Sequence, residues 1–585
     1  MHYQQLQKAR EQLTGPGGDF EIIEADILGN RIRTFRNAPG SIRDFWLSTA
    51  PFAGRTYLVY EDERISYGEA HRQVNAIAAW LFARGVRPGD RVAIAMRKRN
   101  YPEWMLIYWA CTSCGVTVVG MNAWWTAEEM AYGLNDARPK FLFADEERLA
   151  RVIDNPAIEE MPAIVGVRVP ALPAGVTDWG DVISGEGAMP EVDIDPDSDA
   201  CIFYTSGTTG FPKGAQLTHR GCIANLMNMQ YAGASTALAM QWATGEEPPA
   251  EPPVPVSLLT TPLFHVTANN CGAYLTTAAG GTIVLMYRWD AGKALALIER
   301  EKISSIGGVP VMGRELINHP DFATTDTSSL LAVSGGGAQV PPDLVQKIED
   351  EVVTARPTTG YGMTETCGII TSLSGDFFVD RPDSAGPAMP NFEVKCVDDE
   401  GNTVPQGELG ELCVRGSSVI KGYINRPGAT AETITDGWLH TGDVARLDEH
   451  GFIYIVDRKK DMVLRGGENV YCAEVEATIY HHPAIAECCV FGVPDDRLGE
   501  EVAAAIVLKP GETLGEDTLR AHCAQQMSKH KVPRHVWFLD EPFPRNASGK
   551  FLKRDIRGRL PMTGWARKWP PPSFSSPARP LAKTP

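Results

Sequence analysis

Between residues 57 and 333, short apolar runs alternate with stretches of helical periodicity, and few architectures accommodate that rhythm. Runs at 92–95, 141–144, 257–261, 282–285, 303–306 and 330–333 read as buried strands, and 104–114, 127–135 and 291–300 read as helices between them. Such alternation builds sheets with helices on their faces, so an α/β fold is predicted. After about residue 390 the texture changes to alternating, glycine-punctuated runs such as Phe392-Glu393-Val394-Lys395-Cys396-Val397, the pattern of antiparallel strands. Past Asp457, helical patterns at 473–480 and 519–527 flank a strand pattern at 503–508, which describes a small α+β unit. The expected division is an N-terminal domain over 1–459, its β-rich part at about 390–459, and a C-terminal α+β domain over 460–565. Segment 244–256 is acidic and proline-rich, and 566–585 is a basic, proline-rich tail expected to be disordered.

A chain of 585 residues exceeds the size at which one core stops growing, in keeping with this division. The net charge of -18 argues against nucleic acid as a partner, because an acidic surface repels phosphate backbones. No apolar run reaches membrane-spanning length and the polar start lacks a signal-peptide core, so a cytoplasmic location is expected. The 12 cysteines follow no framework spacing and read as free thiols, Cys111 and Cys114 included. The oligomeric state, a homodimer among the options, is left open.

Directly after the apolar run 200–203 comes Tyr204-Thr205-Ser206-Gly207-Thr208-Thr209-Gly210-Phe211-Pro212-Lys213-Gly214. Glycines let backbone N–H groups approach an anion, the hydroxyls of Thr205, Ser206, Thr208 and Thr209 add donors, and Lys213 adds charge. This is the chemistry of a phosphate cradle. Gly214 stands where a Walker loop requires the Ser or Thr that binds magnesium, which excludes a P-loop NTPase. The stretch instead resembles the signature of the adenylate-forming superfamily, which includes acyl-CoA synthetases.

Four further segments carry the resemblance in the expected order. Thr359-Gly360-Tyr361-Gly362-Met363-Thr364-Glu365 is similar to the adenine and magnesium segment, which implies that Tyr361 stacks on the base, Thr364 contacts the α-phosphate and Glu365 holds Mg2+. Asp443, in His440-Thr441-Gly442-Asp443, corresponds to the acceptor of the ribose hydroxyls. In Asp457-Arg458-Lys459-Lys460, the resemblance implies a ribose contact for Arg458 and a hinge at Lys460. Lys550, in Asn546-Ala547-Ser548-Gly549-Lys550, corresponds to the lysine that bridges the acid and the α-phosphate.

His265, after Pro262-Leu263-Phe264, resembles the histidine set against the substrate carboxylate, and Gly336 and Ala338 resemble a glycine-rich wall beside acyl group and adenine. Gly466 and Gly467 resemble the segment that lines the pantetheine tunnel after hinge motion. The family's architecture implies two α/β sheets in the large domain and mobility of the small one. Its chemistry implies ATP, Mg2+ and CoA as cofactors and co-substrates, with a small carboxylic acid activated as acyl-AMP and then transferred to CoA. A carrier protein as acceptor is the alternative. Trp124, Trp125, Phe264 and the segment 367–370 suggest an apolar acid pocket, which leans towards a medium or long fatty acid, with aryl and polycyclic acids as alternatives.

Overall fold

The computed structural model describes residues 3–96, 101–205, 212–245, 247, 253–336, 340, 342–352, 354–466, 468–545 and 551–560. The chain divides into two compact units, Met1–Ile455 and a second that begins at Val456.

The first unit holds two eight-stranded sheets and a six-stranded one. Its first large sheet runs in parallel from Thr177–Asp178 through Ala163–Val167, Phe141–Asp145, Arg91–Ala95 and Thr117–Gly120 to β1 (Asp199–Thr205). There the order turns antiparallel with β2 (Lys213–Thr218), which leads into helix α1 (His219–Thr244). Phe141–Asp145 is buried at every position, as a strand covered on both faces must be. The second large sheet has a parallel centre, formed by Thr56–Tyr60, Thr282–Leu285, Val256–Leu259, Ser305–Gly308, Ala332–Gly336 and β3 (Arg356–Met363). Antiparallel β4 (Gly368–Ser374) closes one of its edges.

Helix α1 starts where Thr218 Oγ1 accepts a hydrogen bond from Gly221 N at 3.0 Å, and it stops at Gly245, whose φ of 74° is the left-handed cap that glycine adopts without strain. It packs against β4 closely enough that a Cβ on Gly368 would lie 2.2 Å from Asn225 Oδ1. The two-residue strand β5 (Gly422–Tyr423) pairs with β2, and the antiparallel sheet that includes β6 (Trp438–Leu447) completes this unit.

The second unit contains a five-stranded sheet around the long hairpin Ile485–Asp495 and Gly499–Leu508, with helices α2 (Cys472–Tyr480) and Glu516–Gln526. The expected fold class is thus present: an α/β unit with two large sheets and a β-rich part, and a smaller α+β unit. Helix α1, the N-terminal helix Tyr3–Thr14 and the hairpin of Ile22–Ile27 with Asn30–Phe35 were not anticipated from the sequence. All 12 cysteines are free thiols. No described helix is long and apolar enough to cross a membrane.

Candidate active site

β1 ends and β2 begins as a register pair, Thr205 opposite Lys213, with Thr205 Oγ1 donating to Lys213 O at 3.4 Å. Ser206, Gly207, Thr208 and Thr209, which join them, lie outside the described residues. The Lys213 ammonium sits 4.7 Å from the centroid of the Tyr423 ring, which β5 places there by pairing Tyr423 with Ala215. The Tyr423 hydroxyl in turn donates to Glu365 Oε1 at 2.7 Å. Burial, followed by the charge of Glu365, pushes the Tyr423 pKa up, so the phenol keeps its proton and acts as a donor.

Glu365 lies on the tight turn Thr364–Thr366 that links β3 to β4, and its backbone oxygen accepts from Ile420 N at 3.0 Å. Its side chain is buried, and Oε2 accepts no hydrogen bond among the described residues. Among those residues no group of three or more His, Cys, Asp or Glu could hold a metal. This donor set suits magnesium, which takes one or two carboxylates and completes its shell with phosphate oxygens and water. Glu365 is the residue that would hold it, beside the Lys213 cation.

Four residues before Glu365, Tyr361 leaves β3 with its hydroxyl donating to Asp443 Oδ2 at 2.5 Å. Asp443 sits on β6 at 2% exposure, and its backbone N–H donates to Thr441 Oγ1 at 3.1 Å. Parallel register sets Gly336 beside Gly360, and a Cβ added at Gly336 would meet no atom of the described residues within 4 Å. Gly362 has a different reason to be glycine: a Cβ there would lie 1.9 Å from Gly368 O, so it permits the close approach of β3 and β4. Thr359 is buried in β3, Thr364 opens the turn, and Ala338 lies outside the described residues. Two side-chain contacts of the first unit thus meet β3 and the turn after it: Lys213, Tyr423 and Glu365 in one, Tyr361 and the buried Asp443 in the other.

The family described as AMP-binding enzyme matches residues 45–424, and its C-terminal domain matches 474–550. The chain belongs to the adenylate-forming superfamily. Within that superfamily of acyl- and aryl-CoA ligases, a feruloyl-CoA synthase from Amycolatopsis sp is 36% identical over 498 residues, covering 85% of this chain and 94% of that protein. The 3-[(3aS,4S,7aS)-7a-methyl-1,5-dioxo-octahydro-1H-inden-4-yl]propanoyl:CoA ligase of Rhodococcus jostii is 34% identical over 522 residues, covering 86% and 96%. Among solved structures, O-succinylbenzoate coenzyme A synthetase from Bacillus subtilis, in complex with ATP and magnesium ion, superposes with a TM-score of 0.71 at 29% identity, covering 88% of this chain and 99% of that one. ATP, magnesium and CoA are accordingly the small molecules of this ligase family.

His265, which the resemblance sets against the substrate carboxylate, follows the turn closed by its N–H to Pro262 O at 3.1 Å, and its ring centroid lies 4.8 Å from that of Phe264. It lies two residues before the π-helix Thr267–Ala273. Two expectations for the apolar pocket need correction. Trp125 is a core residue, edge-on to Tyr204 at 5.1 Å and so close to Gly133 that a Cβ there would meet its ring at 2.6 Å. Cys367 and Ile370 are packed into hydrophobic clusters as well. Large apolar residues fill cores more often than pockets, and these do.

In the second unit, Arg458 ends the strand Phe452–Arg458 and is exposed, and Lys460 lies in the turn that follows. Gly466 has φ 61° and donates its N–H to Leu498 O at 2.7 Å, whereas Gly467 and Lys550 lie outside the described residues. A buried carboxylate precedes the candidate hinge: Asp457 accepts from the N–H groups of Arg458 and of Cys472 at the start of α2. Burial raises its pKa to about 6, against the opposing charge of Lys553. Sequence reasoning did not find Tyr423 or this role of Asp457. Tyr423 carries no motif, and its partner Glu365 is 58 positions away.

Proposed function

We propose that the protein activates a ring-bearing carboxylic acid as acyl-AMP and transfers the acyl group to CoA. The observation that carries this reading is that β3 and the turn after it bear both contacts, Lys213–Tyr423–Glu365 and Tyr361–Asp443. An acid oxygen attacks the α-phosphorus of ATP, the bond to the β-phosphate breaks and pyrophosphate leaves; the CoA thiol then attacks the acyl carbon, expels AMP and gives up its proton to solvent. Magnesium, when bound, supplies positive charge that offsets the polyphosphate. Lys213 holds the departing pyrophosphate, Asp443 accepts the ribose hydroxyls, and the Tyr361 ring lies against adenine. Thr364 contacts the α-phosphate and His265 the acid carboxylate. Lys550 orients the attacking oxygen and stabilises charge on the equatorial oxygens, as the resemblance implies. Rotation about Lys460 then exchanges Lys550 for Gly466 and Gly467, with Arg458 contacting the ribose.

Two observations support a ring-bearing acid over a fatty acid. The names of both relatives describe acids that carry a ring. The helix that follows His265 begins with Thr267, Asn269 and Asn270 instead of an apolar run, which suits a short acid with polar groups better than a long alkyl chain. The test is mass spectrometry of CoA products from ATP, magnesium and CoA with a panel of aryl, polycyclic and C8–C16 fatty acids. Thioester with the ring-bearing acids is the expected result; thioester with the fatty acids alone refutes the acid class, and acyl-AMP without thioester moves the acceptor to a carrier protein.

A further inference from the structure

Two elements that precede the family match at 45–424, the helix Tyr3–Thr14 and the hairpin of Ile22–Ile27 with Asn30–Phe35, line an open cavity of about 560 Å3. Tyr231 of α1 and residues of the segment 388–392 form its other wall. Small-molecule sites span roughly 300–1,000 Å3, so this volume suits an organic ligand. Much of the lining is apolar: Tyr231, Met389 and Phe392 are buried in one hydrophobic cluster, and Ile22 packs against that cluster.

Arg10 brings a cation to this lining. It is partly buried, its guanidinium carbon lies 5.5 Å from the centroid of the Tyr231 ring, and Nη2 donates to Ala388 O. Burial pushes the Tyr231 pKa up to about 12, so the phenol is neutral and offers Arg10 no counter-charge. Among the described residues no carboxylate pairs with Arg10. The acids that line the cavity are engaged with other groups: Glu24 pairs with Arg31 at 3.3 Å, and Glu11 accepts from Gln7 Nε2 at 3.1 Å. Arg33 lines the cavity too, and its side chain has no partner among the described residues. With Glu24 countered by Arg31, Arg10 and Arg33 face only the charge of Glu11, which leaves an excess of one positive charge. A guanidinium set against apolar groups gives up hydration that the hydrogen bonds of an oxyanion replace.

The cavity is separate from the candidate active site. Ala388 bridges Thr371 in β4, and Thr371 pairs with Tyr361 in β3, so two strand spacings of about 4.8 Å lie between this wall and the strand that carries Tyr361. We propose that the cavity is a second binding site, for a monoanionic carboxylate on an apolar body. The carboxylate pairs with Arg10, and the body lies on Ile22, Met389 and Phe392. A dianion such as a phosphate monoester sets its second charge against Glu11 and is disfavoured.

The test is isothermal titration of the full chain, without ATP or CoA, with 2-naphthoate, its neutral analogue 2-naphthalenemethanol and the dianion 2-naphthyl phosphate. Arg10→Met keeps an apolar stem and removes the charge, so its difference from wild type isolates this cavity from any binding at the candidate active site. Wild type is expected to take up one equivalent of 2-naphthoate more than Arg10→Met, with the alcohol and the phosphate each at least about tenfold weaker at that equivalent. Equal uptake by both proteins overturns the proposal, as does alcohol binding as tight as that of the naphthoate. Phosphate binding as tight or tighter overturns the carboxylate class. If Arg10→Met fails to accumulate, Arg33→Gln at an exposed position decides: a loss of about threefold or more in naphthoate affinity is expected, and an unchanged isotherm overturns the proposal. These readouts involve no adenylation, so they stand or fall independently of the ligase reading.

Discussion

Replacing Tyr423 with phenylalanine removes one hydroxyl and keeps the ring that lies 4.7 Å from the Lys213 ammonium. The lost contact is the 2.7 Å hydrogen bond to Glu365 Oε1, made where donor and acceptor residues are 6% and 7% exposed. Hydrogen bonds to charged groups contribute on the order of 1.5–3 kcal/mol, and little water reaches this one to replace it. Because 1.36 kcal/mol is a factor of ten in rate, Tyr423→Phe is expected to lower kcat/KM for acid-dependent pyrophosphate release about 10- to 150-fold. The damage falls on the carboxylate, so the magnesium concentration that gives half-maximal rate is also expected to rise. Tyr423→Ala adds loss of the ring over Lys213 and is expected to raise KM for ATP further. The assay is a coupled pyrophosphate measurement across a magnesium titration, with melting temperature as the control for folding. Wild-type rate and magnesium dependence in a folded Tyr423→Phe protein refute the role assigned to this contact.

Asp443→Asn removes a buried charge that accepts from Tyr361 and, on the ligase reading, from the ribose diol; KM for ATP is expected to rise about 10- to 100-fold, measured by the same assay. Trp125→Ala is expected to cost roughly 3–5 kcal/mol of stability, read as a lower melting temperature, with no change in acid preference. Asp457 has a folded pKa of about 6, above the value near 3.9 of an unfolded carboxyl, so the folded state binds more protons between those pH values. Its stability contribution is thus present below about pH 4 and is lost as pH rises through about 6. The amplitude is up to about 3 kcal/mol for the shift in question, and Asp457→Asn is expected to flatten that part of the profile, followed by hydrogen exchange at the Cys472 amide.

The α/β alternation was legible because strands such as Phe141–Asp145, buried on both faces, leave a continuous apolar run. Helix α1 was not. Residues as different as Asn225, Met227, Asn228 and Ser235 are buried around it, and a helix buried on most sides has no polar stripe to set its period. Tyr361, Glu365 and Asp443 could be named because their segments resemble motifs of the superfamily, and Lys213 because it ends a stretch of hydroxyls and glycines with the chemistry of a phosphate cradle. Tyr423 depends on β5 being added to the edge of the first sheet beside β2, a long-range pairing that two residues cannot announce. Trp125 illustrates the opposite error: its size suggested a pocket wall, yet Gly133 makes room for it in the core.

The central claim is activation of a carboxylate by adenylation, and isotope exchange between labelled pyrophosphate and ATP tests it most directly. With magnesium and no CoA, exchange that depends on added acid and is lost in Lys550→Ala is the predicted result. Exchange independent of acid, or ATP turnover that yields ADP and phosphate, contradicts the account.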